Sequence, residues 1–199
     1  MKLHDLQELG DQLDPYPGAE ADPSPRPGGW LAAVALVLRP AGSGSEVLLI
    51  RRARDERDPW SGQMALPGGR KDSHDTSLLE TAIRETREEV GLDLERHGEQ
   101  LGRLAPMAPA SPSLPPLTIL PFVFQVDAGV PARVASPEVA SLHWVHLAHL
   151  TDNKNRIQFR FQRGEVDRSF PAIEVDGQPL WGLTHRIIED FLARLSPRE

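Results

Sequence analysis

Cysteine is absent from this 199-residue chain. That excludes disulfides, zinc–thiolate centres and thiol nucleophiles, and it leaves the compartment open. Positive charge is in deficit: 22 lysines and arginines against 29 acids give a net charge of −7, which speaks against a non-specific nucleic-acid binder. Long apolar runs are missing too. The longest, "WLAAVALVL" from Trp30 to Leu38, is too short to span a bilayer. The residues after Lys2 contain no apolar stretch of the export-signal kind. The expectation is a cytoplasmic protein with no membrane and no nucleic-acid partner.

Proline and glycine are plentiful, at 19 and 16 residues, and mark a loop-rich chain that is still long enough to bury a core. Leu3, Leu6, Leu9 and Leu13 lie near helical spacing. "DPYPGAEADPSPRPGG" follows with five prolines. Residues 1–28 therefore read as a short helix and a proline-rich linker, and 29–199 as one domain. Within it, "WLAAVALVLRP" and "EVLLIRRA" read as strands joined in a hairpin. "QMALP", "EQLGRLAPM", "LTILPFVFQV" and "EVASLHWVHL" read as further strands, and "WGLTHRIIEDFLARL" as a terminal helix. Residues 77–90 form a helix, with Ser77 and Glu80 as a capping box and Gly91 at its C-terminal stop. This order predicts a mixed α/β or α+β sheet with helices packed on it.

Around that helix, at about 100° per residue, Glu85, Glu88 and Glu89 fall within an arc of roughly 100°. Leu79, Ala82, Ile83, Thr86 and Val90 take the adjacent arc. Three clustered carboxylates repel one another, and Arg84 and Arg87 offset only part of that. Hard oxygen ligands at this spacing suit Mg²⁺ or Mn²⁺. Helix spacing alone also describes a solvated, salt-bridged surface helix. The preceding "LPGG" adds weight to the metal reading, because glycines let backbone approach a ligand closely.

The stretch "GGRKDSHDTSLLETAIRETREEVGL" resembles the signature of the Nudix hydrolases, G-x5-E-x7-R-E-U-x-E-E-x-G-U with U apolar. Arg84, Glu85, Glu88, Glu89, Gly91 and Leu92 match it. Thr86 replaces the apolar U, Gly69 stands one residue further from Arg84 than usual, and Thr76 replaces the first glutamate, with Asp75 the nearest acid. The longer loop is similar to that of the coenzyme A diphosphatase branch, G-G-x-x-D-x-x-D-x5-T-A-x-R-E. Gly68, Gly69, Asp72, Asp75, Thr81, Ala82, Arg84 and Glu85 match that form. Leu66 and the spacing of Arg57 from Gly62 depart from it.

The resemblance implies a Nudix-like α/β/α sandwich. It also implies a divalent-metal-dependent hydrolase of a nucleoside diphosphate linked to another moiety, coenzyme A or a derivative. ADP-ribose, a nucleotide sugar or a nucleoside triphosphate is the alternative substrate, and a non-catalytic nucleotide-binding module is the alternative class. Glu85, Glu89 and Glu88 are the implied ligands of Mg²⁺ or Mn²⁺, with the Gly69 carbonyl as a further one and Arg84 as a brace. Glu138 is the candidate general base. Arg51, Arg52, Arg54 and Arg57, with Arg70, form a candidate anion clamp for substrate phosphates. Trp60 is a candidate for stacking on a base. The N-terminal segment and the terminal helix are candidates for a homodimer contact.

Overall fold

A computed structural model describes residues 10–42, 44–56, 58, 60–109, 116–163 and 166–195. Arg57 and most of the N-terminal leucine-spaced segment lie outside them. The strands are β1 (Trp30–Ala41), β2 (Gly44–Arg52), β3 (Met64–Ala65), β4 (Gly68–Arg70), β5 (Gly98–Arg103), β6 (Leu117–Val126), β7 (Val139–His146), β8 (Arg156–Arg163), β9 (Val166–Val175) and β10 (Gln178–Trp181). The helices are α1 (Leu78–Val90), α2 (Leu94–His97), α3 (Leu147–Thr151) and α4 (Gly182–Leu195).

β1 organises the main sheet. It pairs parallel with β6 from Trp30↔Leu117 to Leu38↔Gln125. Its other edge is shared: β2 takes the end from Leu38 to Ala41, and β4 takes Ala32 to Val34. β2 pairs along its other edge with β7 from Glu46 to Arg52, and past Val47 it diverges from β1, so that at Ile50 and Arg51 the edge freed from β1 pairs with β3. That divergence opens room for the short β4, which sequence reading left in a loop. Three residues carrying two glycines show no strand pattern of their own.

Alternation along the strands splits the core into two layers. Ala33, Ala35, Val37, Leu48 and Ile50 pack with Leu78, Ala82 and Val90 of α1. Val34, Leu36, Leu38, Val47 and Leu49 pack with Ile187, Ile188, Phe191 and Leu192 of α4. The sheet is therefore mixed and covered on both faces, as expected. The apolar face of α4, a candidate dimer contact, is spent inside the chain. Beside α4 lies a second, antiparallel sheet in the order β10–β9–β8, which sequence reading did not anticipate. Among the described residues no helix is long and apolar enough to cross a membrane.

The proline-rich segment is a strap on the domain, where composition suggested a free linker. Leu13 is buried in the α4-side core, and Asp14 bridges to Arg103. The Tyr16 ring meets Phe122 edge-on at 4.9 Å. Its hydroxyl donates to Asp22 at 2.7 Å, and the other oxygen of Asp22 accepts the Leu78 N–H at 3.0 Å. A few side chains between the prolines suffice to anchor an extended chain that has little backbone freedom to lose.

Candidate active site

α1 begins where sequence chemistry places it. Ser77 Oγ accepts the Glu80 N–H at 3.2 Å. The capping box is modified, because the Glu80 carboxylate turns to the Thr76 N–H (2.6 Å) and hydroxyl (2.7 Å). Gly91 stops the helix at φ 64°, a left-handed conformation that glycine adopts without strain. Thr86 is fully buried, and its hydroxyl donates to the Ala82 carbonyl at 2.7 Å. A satisfied hydroxyl is what lets threonine occupy a position the family signature gives to an apolar residue.

The glycine elbow meets the helix across this face. The Gly68 N–H donates to Glu89 Oε2 at 2.9 Å. A Cβ on Gly68 would lie 2.3 Å from the Ala33 carbonyl oxygen at a φ of 147°, so glycine is required there, and Gly69 brings its Cα close against the Glu85 carboxylate. Glu89 is 4% exposed. Burial pushes its carboxyl up to about 7, the Gly68 N–H opposes the shift, and Glu85 adds to it. Glu85 is also shifted upward by burial, against the pull of Arg84. Glu88 is exposed.

Arg84 ties these groups to the loop. Nε and Nη2 both bond Asp75 at 2.9 Å, Nη1 bonds Glu85 (2.9 Å) and Glu88 (3.1 Å), and Nη2 also reaches the Arg70 carbonyl at 3.2 Å. The expected brace toward Glu88 is present, whereas Glu80 faces away. Burial would raise the Asp75 carboxyl, but Arg84, the Asp72 N–H and the Thr81 hydroxyl together lower it to about 2. In the sequence Asp75 is only the nearest acid to a missing glutamate. Its fork onto Arg84 joins residues nine apart across a turn, which spacing does not reveal.

Carboxylate oxygens on a helix beside the half-buried glycines of β4 form a hard donor set that fits Mg²⁺ or Mn²⁺. Among the described residues no three ligand side chains converge on one point. Glu85 and Glu88 turn to Arg84, and Glu89 to Gly68. The fit rests on stored negative charge: two neighbouring half-buried or buried carboxylates whose ionised forms a cation would favour.

The remaining candidates separate. Arg52 bonds Asp58 through Nε (2.9 Å) and Nη2 (2.8 Å), and its charge reaches Glu89. Glu138 is exposed at the start of β7, close enough that its charge bears on both Glu85 and Glu89. The Arg70 guanidinium lies over the Trp30 ring at 4.8 Å. With Lys71, Asp72, Ser73, Arg84 and Glu85 it lines a hollow of about 360 Å³. Arg51 and Arg54 are elsewhere, lining a different cleft. The arginines therefore do not form one clamp, because Arg51 and Arg52 point to opposite faces of β2. Trp60 is half-buried in the β2–β3 loop, its backbone N–H donating to Asp58 at 2.9 Å, and its ring lines neither hollow. Arg57 lies outside the described residues.

The NUDIX domain family matches residues 30–167. A Nudix hydrolase called NudL from Yersinia enterocolitica is 31% identical over 171 residues, 82% of this chain and 83% of that one. A Schizosaccharomyces pombe protein, C14C4.10c, is 33% identical over 194 residues, 79% of this chain, and the chain spans only 59% of its length. In fold, a MutT/nudix family protein from Enterococcus faecalis superposes with a TM-score of 0.53 over 88% of this chain and 65% of that one, at 19% identity. The chain belongs to the Nudix family. The family match and the hydrolase relatives support a pyrophosphohydrolase acting on nucleoside diphosphate derivatives.

Proposed function

We propose that this protein is a Mg²⁺- or Mn²⁺-dependent diphosphatase that hydrolyses coenzyme A or a close derivative in the cytoplasm. The observation that carries the reading is the pairing of Glu85 and Glu89 against Gly68 and Gly69, with Arg84 forked between Asp75 and the glutamates. Glu85, Glu89 and Glu88, with the Gly69 carbonyl, are the groups that would hold the cation. When bound, it supplies charge neutralisation for the diphosphate oxygens and a more acidic water.

The chain's own residues do the positioning. Arg84 holds Glu85 and Glu88 on the side of the helix that meets β4, within reach of a shared cation. Arg70 and Lys71, at the hollow beside Glu85, present positive charge to the diphosphate. Glu138 faces the same carboxylates and is the candidate to take the proton from the attacking water. In-line attack on one phosphorus then releases the other phosphate with its attached group. The loop pattern of Asp72, Asp75 and Thr81 supports coenzyme A over other diphosphates. Retention of all three box glutamates favours an enzyme over a binding module.

The test is a substrate panel of coenzyme A, dephospho-coenzyme A, ADP-ribose, a nucleotide sugar and a nucleoside triphosphate with Mg²⁺ and Mn²⁺, products resolved by mass. Coenzyme A should yield 4′-phosphopantetheine and 3′,5′-ADP. Cleavage of ADP-ribose or a nucleotide sugar without coenzyme A would remove the substrate assignment and keep the hydrolase.

A further inference from the structure

Strand alternation sends two consecutive arginines to two sites. Ile50 belongs to the α1-side core and Leu49 to the α4-side core, so Arg52 faces the glutamates and Arg51 faces away. Arg51 opens into a cleft of about 660 Å³ between the β2–β3 loop and the small sheet. That volume is ordinary for a small-molecule site.

The far wall of the cleft is aromatic. Phe159 and Phe161 stand on one face of β8, and the Trp181 ring lies 5.1 and 5.0 Å from theirs. Phe170 backs Trp181 at 5.1 Å. None of these four rings belongs to either core, and all are only half-buried. Four of the chain's 11 aromatic residues thus cluster outside both cores, and three of them line the cleft. Arg51, Arg54, Gln63 and Gln178 also line the cleft, Gln178 on the same strand as Trp181. Asp58 is occupied by Arg52, and neither Arg51 nor Arg54 has an ion pair among the described residues. Asp55 and Glu56 also line the cleft, so it carries both signs. A flat ring carrying one phosphate suits it: the ring on the aromatic wall, amide groups at its edge, the phosphate at the arginines.

We propose that this cleft binds the adenine and 3′-phosphate end of the substrate, an assignment that rests on the coenzyme A reading above. Arg51 and Arg52 are neighbours in sequence, with Cα atoms about 3.8 Å apart. The cleft and the glutamates thus flank the same strand end, and an elongated substrate can engage both. The pairing separates two tasks: Arg51 and Arg54 read the phosphate, Trp181 and Phe161 read the base.

Steady-state kinetics on coenzyme A and dephospho-coenzyme A, with Mg²⁺, should show this division in Arg51→Gln and Trp181→Leu. Arg51→Gln should lower kcat/KM for coenzyme A about ten-fold or more, mostly through KM, from loss of a charge-assisted contact, and dephospho-coenzyme A by about three-fold or less. Trp181→Leu should weaken both substrates alike, since both carry the base. In a second measurement, 3′,5′-ADP titrated calorimetrically into the full chain in EDTA should bind wild type, and Trp181→Leu should not bind it measurably. Retained folding of each variant is checked by circular dichroism, and Phe161→Leu serves if Trp181→Leu does not fold. If wild type cleaves coenzyme A and Arg51→Gln, Arg54→Gln and Trp181→Leu leave both the substrate ratio and 3′,5′-ADP binding unchanged, the cleft assignment is overturned and the reaction stands. If wild type does not cleave coenzyme A, the substrate reading fails, and the titration decides the cleft alone: binding lost in Trp181→Leu supports it, and no binding overturns it.

Discussion

The two sides of the end of β2 make opposite use of charge. Toward α1, charged groups are locked together: Arg84 is engaged by Asp75, Glu85 and Glu88, and Arg52 by Asp58. Toward the small sheet, Arg51 and Arg54 stand beside half-buried rings and have no ion pair among the described residues. A preorganised network suits a step in which charge develops and nothing should have to move. An uncommitted guanidinium beside an aromatic face suits recognition, where the ligand brings the missing partner. Adjacent residues serve different tasks because the strand turns successive side chains to opposite faces.

The sharpest way to break that contrast is at the glutamates. Glu85→Gln and Glu89→Gln should each lower kcat by about 100-fold or more, the scale of a removed transition-state contact. Neither should unfold the protein. Glu89→Gln should be as stable as wild type or more so in EDTA at pH 8, because it removes charge from a buried, crowded site. Both variants turning over at near wild-type rates would displace the active site from α1.

Divalent ions should be indispensable. Excess EDTA should abolish turnover, and added Mg²⁺ or Mn²⁺ should restore it. Activity should climb as pH rises through about 7, where the Glu89 carboxyl sheds the proton that competes with a cation. Undiminished rates in EDTA would contradict the metal reading.

Arg84→Lys tests the network rather than the ligands. Lysine keeps the charge but cannot fork onto Asp75 while holding Glu85. A ten-fold or greater fall in kcat with a stability loss of roughly 1–3 kcal/mol is expected. Wild-type behaviour would mean that Arg84 is a surface charge only.

Asp75 gives a pH signature to stability. Its folded carboxyl sits near 2, below the ordinary value of about 3.9. Its contribution is therefore complete above about pH 4 and disappears as pH falls toward 2. Urea melts should show Asp75→Asn less stable than wild type by about 1–2 kcal/mol at pH 7, the gap narrowing below pH 4. A gap constant with pH would exclude the Arg84 fork as its source. The smallest effect expected is from Asp22→Asn, which weakens the contacts to Tyr16, Leu78 and Lys71 that hold the strap. A loss of about 0.5–1 kcal/mol with kcat nearly unchanged would separate the strap from catalysis.

The legible parts were those with local causes. The helix over 77–90 announced itself through Ser77, its apolar arc and Gly91, and α1 begins and ends there. "LTILPFVFQV" coincides with β6. β4 was hidden because its pairing with β1 supplies what its own residues do not. The small sheet carries an alternation at Phe159 and Phe161, but neighbouring arginines and glutamines masked it, and its burial comes from Trp181 across the sheet. Asp75 was visible as an acid near the box and invisible as the anchor of Arg84.

Sequence by itself determined the family and the glutamate arc, since helix period and hard-ligand chemistry are properties of residues and spacing. Only the tertiary structure decided which arginine serves which site, that Thr86 is tolerated, and that the proline-rich segment is a strap. Those outcomes depend on which face of a strand or helix meets which neighbour, and neighbours distant in the chain become adjacent only when the sheet has formed.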